Sequence, residues 1–197
     1  LHTVRGKLKR YYLYNISALS QPQTQDPMAR LDILEFPDPR LRQVATPLAQ
    51  VDADAKALAE AMIETMYAAK GIGLAATQVN DKRRVFVMDT SPTQDAPYVF
   101  FNPEIVERSG EQVGEEGCLS IPGLTADVQR AEQVKVRALN LEGEPFELDA
   151  HGLEAVCIQH EIDHLDGKVF LDRLSPLKRR MLQKKYQKHR QQAADEA

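Results

Sequence analysis

The sequence predicts an α+β domain, on three observations. Apolar residues recur at helical spacing in three segments, residues 52–70, Gly152–Leu165 and 175–192. Four shorter segments read as strands, and they bunch between the first two helices. Strands and helices do not alternate as βαβ units, so a doubly wound parallel sheet is excluded.

Each element has local grounds. In 52–70, Asp52 stands where a helix wants a capping acceptor, Leu58, Met62, Met66 and Ala69 recur on one side, and Gly71 is expected to end the helix. Residues 85–89 and 98–101 are short apolar runs, and Gln133–Leu139 alternates as a half-buried strand does. Residues 140–143 make a turn from which 145–148 returns as a further strand. Gly152–Leu165 is the second helix, closed by Gly167, and 175–192 the third, with Ser175 as cap and Pro176 at the first helical position.

Residues 1–27 read differently from the rest: basic residues, a weakly apolar run, then a Gln/Pro-rich stretch ahead of Met28. They are expected to be a flexible leader, non-native or from a mis-assigned start; a secretory signal with Ala18-Leu19-Ser20 as its small-residue site and an organelle transit peptide are the alternatives. The expected organisation is therefore a leader over 1–27, a catalytic domain over 28–174 and a basic helix and tail over 175–197. Apolar residues make up 43% and charged residues 27% of the chain, which suits one packed domain rather than disorder. No stretch nears the ~18 uninterrupted apolar residues of a spanning helix. Two cysteines, Cys118 and Cys157, cannot staple a fold and suggest a reducing compartment. The net charge of −4 hides an asymmetry: +3 over 1–27, −12 over 28–174 and +5 over 175–197. An acidic body is a poor polyanion binder, whereas the basic tail suits RNA, unless it is simply a solvated helix.

His160-Glu161-Ile162-Asp163-His164 is the most informative segment. On a helix, His164 lies about 40° from His160 and Glu161 about 60° from His164, so all three share one side. Leu153, Val156 and Cys157 face the same way, which puts the site against the core. Two imidazoles at i and i+4 suit one metal ion, with Glu161 beside it as general base. Catalytic centres of this type usually take a third protein ligand. Position 170, where a metzincin wants histidine, is Phe170. Asp172 is a weak candidate, and His151 reads as a surface or capping residue. Cys157 sits seven residues before His164, about 10 Å along the axis, too far for a ~2.3 Å metal–sulfur bond, and reads as pocket wall. Cys118, in the glycine-flanked segment Glu116-Gly117-Cys118-Leu119-Ser120, is the best third ligand, and the next amide, that of Leu119, is placed to meet substrate. A third segment, Gly71-Ile72-Gly73-Leu74-Ala75-Ala76-Thr77-Gln78, has small residues that let a peptide backbone lie close and a Gln78 amide suited to a developing oxyanion.

Together, in this order, these segments resemble the peptide deformylase family, whose Gly-x-Gly-x-Ala-Ala-x-Gln, Glu-Gly-Cys-x-Ser and Gln-His-Glu-x-Asp-His patterns are filled at 71–78, 116–120 and 159–164. The likeness extends over about 28–177. It implies an α+β fold whose HExxH helix packs between small antiparallel sheets, with helices before and after. It implies that Cys118, His160 and His164 hold a metal, that Glu161 is the acid/base, and that Gln78 and the Leu119 amide bind the oxyanion. Gly73, Glu116 and Arg130 would line or position the peptide, and Ile72, Leu153, Val156 and Cys157 would hold a methionine side chain. The implied substrate is an N-formyl-methionyl polypeptide and the implied native metal Fe(II), with Zn, Ni or Co also suiting the ligands. One departure stands out: similar proteins often carry a bulky apolar residue at position 114, and here Gly114 would widen the pocket or loosen its loop.

The rival reading is an HExxH zinc metallopeptidase. A metal-stapled module docking RNA through its tail would need neither Glu161 nor Gln78. The tail suits ribosome contact even in a deformylase, since 178–190 carries seven bases and no acid. The expected location is the bacterial cytoplasm, with organelle import through 1–27 as the alternative.

Overall fold

The apolar run at 85–88 is continuous because both of its faces are covered. In the computed structural model, which describes residues 30–195, this strand sits inside a five-stranded antiparallel sheet of order β1-β2-β3-β6-β7. The strands are β1 (Gly73–Ala75), β2 (Val85–Met88), β3 (Tyr98–Ser109), β6 (Gln133–Leu139) and β7 (Pro145–His151). Val85 and Val87 of β2, with Val99 and Phe101 of β3, pack against α1 (Ala53–Ala68) through Ala55, Ala59, Met62 and Met66. The alternate residues Phe86, Met88 and Phe100, with Val134, Val136 and Ala138, pack against α2 (Gly152–Leu165) through Ala155, Ile158, Ile162 and Leu165. Period-two alternation thus feeds two separate cores, one on each side of the sheet.

A second sheet pairs β4 (Gln112–Glu116) with β5 (Ala126–Arg130), antiparallel, with Glu116 opposite Ala126. Its inner residues Ala126 and Val128 join Leu34, Phe36, Ile121, Leu124, Phe170 and Leu171 in a third cluster. Helix α2 lies between the two sheets, and every residue from Cys157 to Leu165 is buried. Burial on this scale makes each polar group of the helix costly unless it is paired. The last helix, α3 (Pro176–Asp195), sets Tyr186 into the third cluster against Phe36, ring centroids 6.2 Å apart. Its Arg190 Nη1 donates to the Phe36 carbonyl at 2.9 Å.

The helices fall where the spacing puts them, with Asp52 Oδ1 accepting from Ala55 N at 2.9 Å and Gly152–Leu165 matching residue for residue. Four details differ. The left-handed turn that ends α1 is taken by Lys70 (φ 56), not Gly71, while Gly71 N returns to Met66 O at 2.9 Å. Strand β3 continues past Asn102-Pro103 because Asn102 (φ 51) is held by Leu48 on both amide atoms, at 2.8 Å each, while the register shifts around it. β7 runs on past Leu148 to His151, pairing with β6 throughout. Strands β1, β4 and β5 were not foreseen. The leader expected over 1–27 lies outside the described residues. Among those described, no helix is long and apolar enough to cross a membrane.

Candidate metal centre and active site

Helix α2 brings His160 and His164 to one side, their Nε2 atoms 3.3 Å apart. The loop after β4 brings Cys118 Sγ to 3.2 Å from His164 Nε2. The three donor atoms lie within 4.8 Å of one another. Bond lengths of about 2.0–2.1 Å to nitrogen and ~2.3 Å to sulfur give tetrahedral edges of roughly 3.3 Å and 3.5 Å, so these residues fit a single metal ion. The other side of His160 is fixed as a ligand's should be. Its Nδ1–H donates to Glu116 Oε2 at 2.9 Å, which leaves the Nε2 lone pair facing Cys118 and His164. His164 Nδ1 is buried with no partner among the described residues. Burial and the neighbouring His160 hold His164 well below the ordinary histidine range, so it stays neutral and able to ligate. Burial also opposes charge on His160, but its contacts with Cys118 and Glu116 outweigh burial and push it well up. A metal at this site competes with that proton.

Behind Glu116 stands a chain of ions that runs from buried Arg130 and Asp163 out to exposed Arg173. Arg130 Nε and Nη2 donate to the two Glu116 oxygens at 2.7 and 2.9 Å, and Nη1 donates to Asp163 Oδ2 at 2.6 Å. Arg173 Nε also donates to Asp163 Oδ2, at 2.9 Å, and its Nη2 pairs with Oδ1. Burial pushes both carboxyls up, yet these guanidinium partners hold Glu116 and Asp163 below the ordinary range.

Glu161 differs from every other carboxylate near it. Its Oε2 is buried without a partner among the described residues, and burial pushes its carboxyl up to about 7; His160 opposes that shift and Glu116 adds to it. A carboxyl poised near neutrality and aimed into a cavity suits proton transfer. Gly73 makes room for it. A Cβ there would stand 2.9 Å from Glu161 Cδ and 2.8 Å from Cys157 Sγ, so β1 approaches the helix only because position 73 has no side chain.

Gln78 lies in the short 3-10 helix Ala76–Val79 after β1. Its Oε1 accepts from Ala75 N at 2.8 Å, which turns Nε2 toward Ser120 Oγ at 3.1 Å and Cys118 Sγ at 3.7 Å. Among the described residues no hydrogen bond uses the Leu119 N–H. Thr77 Oγ1 donates to His164 O at 3.0 Å and ties this turn to α2.

These groups open on one cavity of about 620 Å³. Ile72, Gly73, Gln78, Glu116, Cys118, Leu119, Leu153, Val156, Cys157, His160 and Glu161 all line it, so nearly the whole expected set converges. Cys157 is buried, and its thiol donates to Ile72 O at 3.5 Å. His164 and Arg130 do not line the cavity: His164 sits beneath it against Cys118 and His160, and Arg130 stands behind Glu116, so it acts on the site through that carboxylate. The weak ligand candidate Asp172 pairs with Arg42 and Arg179 instead, and His151 ends β7 in solvent. Sequence reasoning missed the roles of Ser120, Asp163 and Arg173. The first two stand inside the quoted motifs, but Arg173 carries no local signal.

Comparison with known proteins agrees with this geometry. The family model described as polypeptide deformylase matches residues 30–180. The chain is 59% identical to the peptide deformylase of Alkalilimnicola ehrlichii over 162 residues, covering 82% of this chain and 91% of that protein. A crystal structure of a peptide deformylase from Legionella pneumophila is similar at TM-score 0.79 and 47% identity, covering 84% of this chain and 98% of that one. A Met-Ala-Ser-bound class I type b peptide deformylase from Acinetobacter baumannii is similar at TM-score 0.70 and 36% identity, covering 75% and 99%.

Proposed function

The chain belongs to the peptide deformylase family, a hydrolase that removes the N-formyl group from newly made polypeptides, and we propose how its own residues divide that work. The single observation that carries the proposal is a buried carboxylate, Glu161, with no partner among the described residues, beside a Cys118–His160–His164 donor triad that fits one metal.

Cys118, His160 and His164 would hold the metal, which supplies Lewis acidity to the formyl oxygen and to water. Fe(II) is the native ion in this reading, and the same donors accept Zn, Co or Ni. Glu161 takes the proton of the attacking water as the oxygen–carbon bond forms. Gln78 Nε2 and the Leu119 N–H donate to the oxyanion, each worth about 3 kcal/mol at the transition state. Glu161 then returns the proton to the departing nitrogen as the carbon–nitrogen bond breaks, releasing formate and a free amino terminus. Ile72, Leu153, Val156 and Cys157 receive the first side chain, Gly73 lets the peptide backbone lie close, and Glu116 with Arg130 behind it fixes His160. The Met-Ala-Ser bound by the Acinetobacter protein is the product such a reaction leaves.

The catalytic unit in this reading is 28–174, with 175–197 as a basic appendage. We place the reaction in the bacterial cytoplasm, in keeping with the bacterial relatives, and the bases of α3 against ribosomal RNA, where formylated chains emerge.

The test is formate release by metal-loaded protein, prepared without oxygen, from formyl-Met-Ala-Ser, with an internally cleavable unformylated peptide alongside. Formate from the first and no cleavage of the second is expected. Cleavage of internal peptide bonds would favour a metallopeptidase.

A further inference from the structure

The stretch 33–36 ties together the two segments that carry the oxyanion donors. Leu34 N donates to Gln78 O at 2.7 Å, and Phe36 N donates to Ser120 O at 2.8 Å. Gln78 Nε2 in turn donates to Ser120 Oγ at 3.1 Å. Hydrogen bonds therefore close a ring through 34–36, Gln78 and Ser120, with the Leu119 amide one residue away. Leu34 and Phe36 are buried, while their neighbours Ile33 and Glu35 line the cavity. The stretch acts as a strap, and shifting it would shift both donors.

Helix α3 grips this strap from outside. Its first half rests elsewhere, with Lys178 Nζ donating to Asp127 O at 3.2 Å and Arg179 Nη1 to Asp172 Oδ1 at 3.4 Å. Its second half comes down on Phe36. The Tyr186 ring packs against the Phe36 ring, and Arg190 Nη1 donates to the Phe36 carbonyl at 2.9 Å. Arg190 Nε also stands 3.8 Å from Glu35 Oε2, but both side chains are about half exposed, so that pair adds little. A bond from a charged donor to a carbonyl is the stronger hold. Phe36 is thus fixed at three points: its amide on Ser120, its carbonyl on Arg190 and its ring on Tyr186.

We propose that Arg190 is a positioning residue for the oxyanion donors. It acts from α3 through Phe36 and the strap on Gln78 and on the loop that carries Cys118, Leu119 and Ser120. This rests on the deformylase reading and gives α3 a part in turnover that does not depend on what the helix docks against.

The experiment measures kcat and KM for formyl-Met-Ala-Ser in metal-loaded wild type, Arg190→Met and Arg190→Lys, each with and without Gln78→Ala. Methionine keeps an apolar stem beside Tyr186 and removes every donor, whereas lysine keeps one. A displaced catalytic group can cost up to about 10²-fold. Arg190→Met is therefore expected to lower kcat about 5- to 20-fold with KM within about twofold, since the donors act in the transition state. Arg190→Lys is expected to recover part of that loss. In the Gln78→Ala background the Met change is expected to cost under about threefold, because one donor it positions is already gone. Amide hydrogen exchange over 33–36 is expected to quicken at least about fivefold in Arg190→Met. If the Met variant does not fold, the same cycle on Arg190→Lys decides, with a smaller kcat loss that again shrinks beside Gln78→Ala. Wild-type kcat, a loss confined to KM, or an equal loss with and without Gln78 overturns the proposal alone. Absence of formate from fully metal-loaded wild type overturns the deformylase reading and this proposal with it.

Discussion

Glu116 is the residue through which the buried ions reach the metal site. It accepts from His160 and from two nitrogens of Arg130 at once, with its side chain 4% exposed. Such a carboxylate sets the tautomer of the histidine and raises its basicity as a ligand. Glu116→Gln replaces one acceptor oxygen with a donor that faces either Arg130 or His160. Metal affinity is expected to fall about 10- to 100-fold, measured by competition with a chelator. Breaking a buried pair from one side is also expected to destabilise the fold by about 3–5 kcal/mol, and unchanged affinity would deny Glu116 its role. The metal triad, Glu161 and Gln78 were legible in the sequence because their motifs are local. Arg130 was legible as a residue but not as a place. Its guanidinium is buried among carboxylates that come from β4 and α2, and only the folded chain brings those together.

Among the elements, the helices and β6 were readable because each has one clear apolar pattern. Strand β4 was not, because its inward residues are Gln112, Gly114 and Glu116, none of them apolar. In β5, Ala126, Val128 and Arg130 do alternate inward, but a buried arginine hides the pattern until its partners are seen. Strand β1 is three residues long and set by its pairing with β2 rather than by propensity. The connection after β2 is anchored by Asp89, which accepts from Tyr67 Oη at 2.6 Å, Ser91 N at 2.8 Å and Ala96 N at 2.9 Å. Burial pushes its carboxyl up, but the bonds from Ser91 and Tyr67 outweigh it and hold it below the ordinary range. A lowered folded-state pKa gives stability that is present above the unfolded value and lost as pH falls through the folded one. Asp89→Asn, which turns a donor toward other donors, is expected to cost about 1–3 kcal/mol at neutral pH. In urea titrations that difference is expected to shrink with acidification, and a constant difference would contradict it. Helix α3 offers a separate test, since Lys184, Lys185 and Lys188 are exposed while Tyr186 holds the helix to the body. Reversing these three to Glu is expected to weaken ribosome co-sedimentation at least tenfold at low salt, with formate release from a free peptide unchanged. Equal co-sedimentation would remove RNA docking from the account.

Across the whole molecule, α2 is where everything meets. One core joins it to the large sheet, its acidic and imidazole side chains join it to the small sheet, and the Cys118 loop closes over it. A metal held by Cys118, His160 and His164 would cross-link the loop to the helix, so folding and metal occupancy are coupled. At a hundredfold excess over Kd a bound ligand adds about 2.7 kcal/mol, and for a domain this size each kcal/mol moves Tm by about 2–4 °C. Stripping the metal with a chelator is therefore expected to lower Tm by roughly 5–11 °C and readdition to restore it; an unmoved Tm would contradict the cross-link. In the proposed reaction the triad would hold the metal, and Glu161, buried and without a partner among the described residues, would move the proton. The most direct test of this is Glu161→Gln, read for metal content and for formate release from formyl-Met-Ala-Ser in the same sample. Full metal occupancy with turnover reduced by about 10²- to 10⁴-fold is the expected result. Wild-type turnover in a fully loaded variant would contradict the assignment.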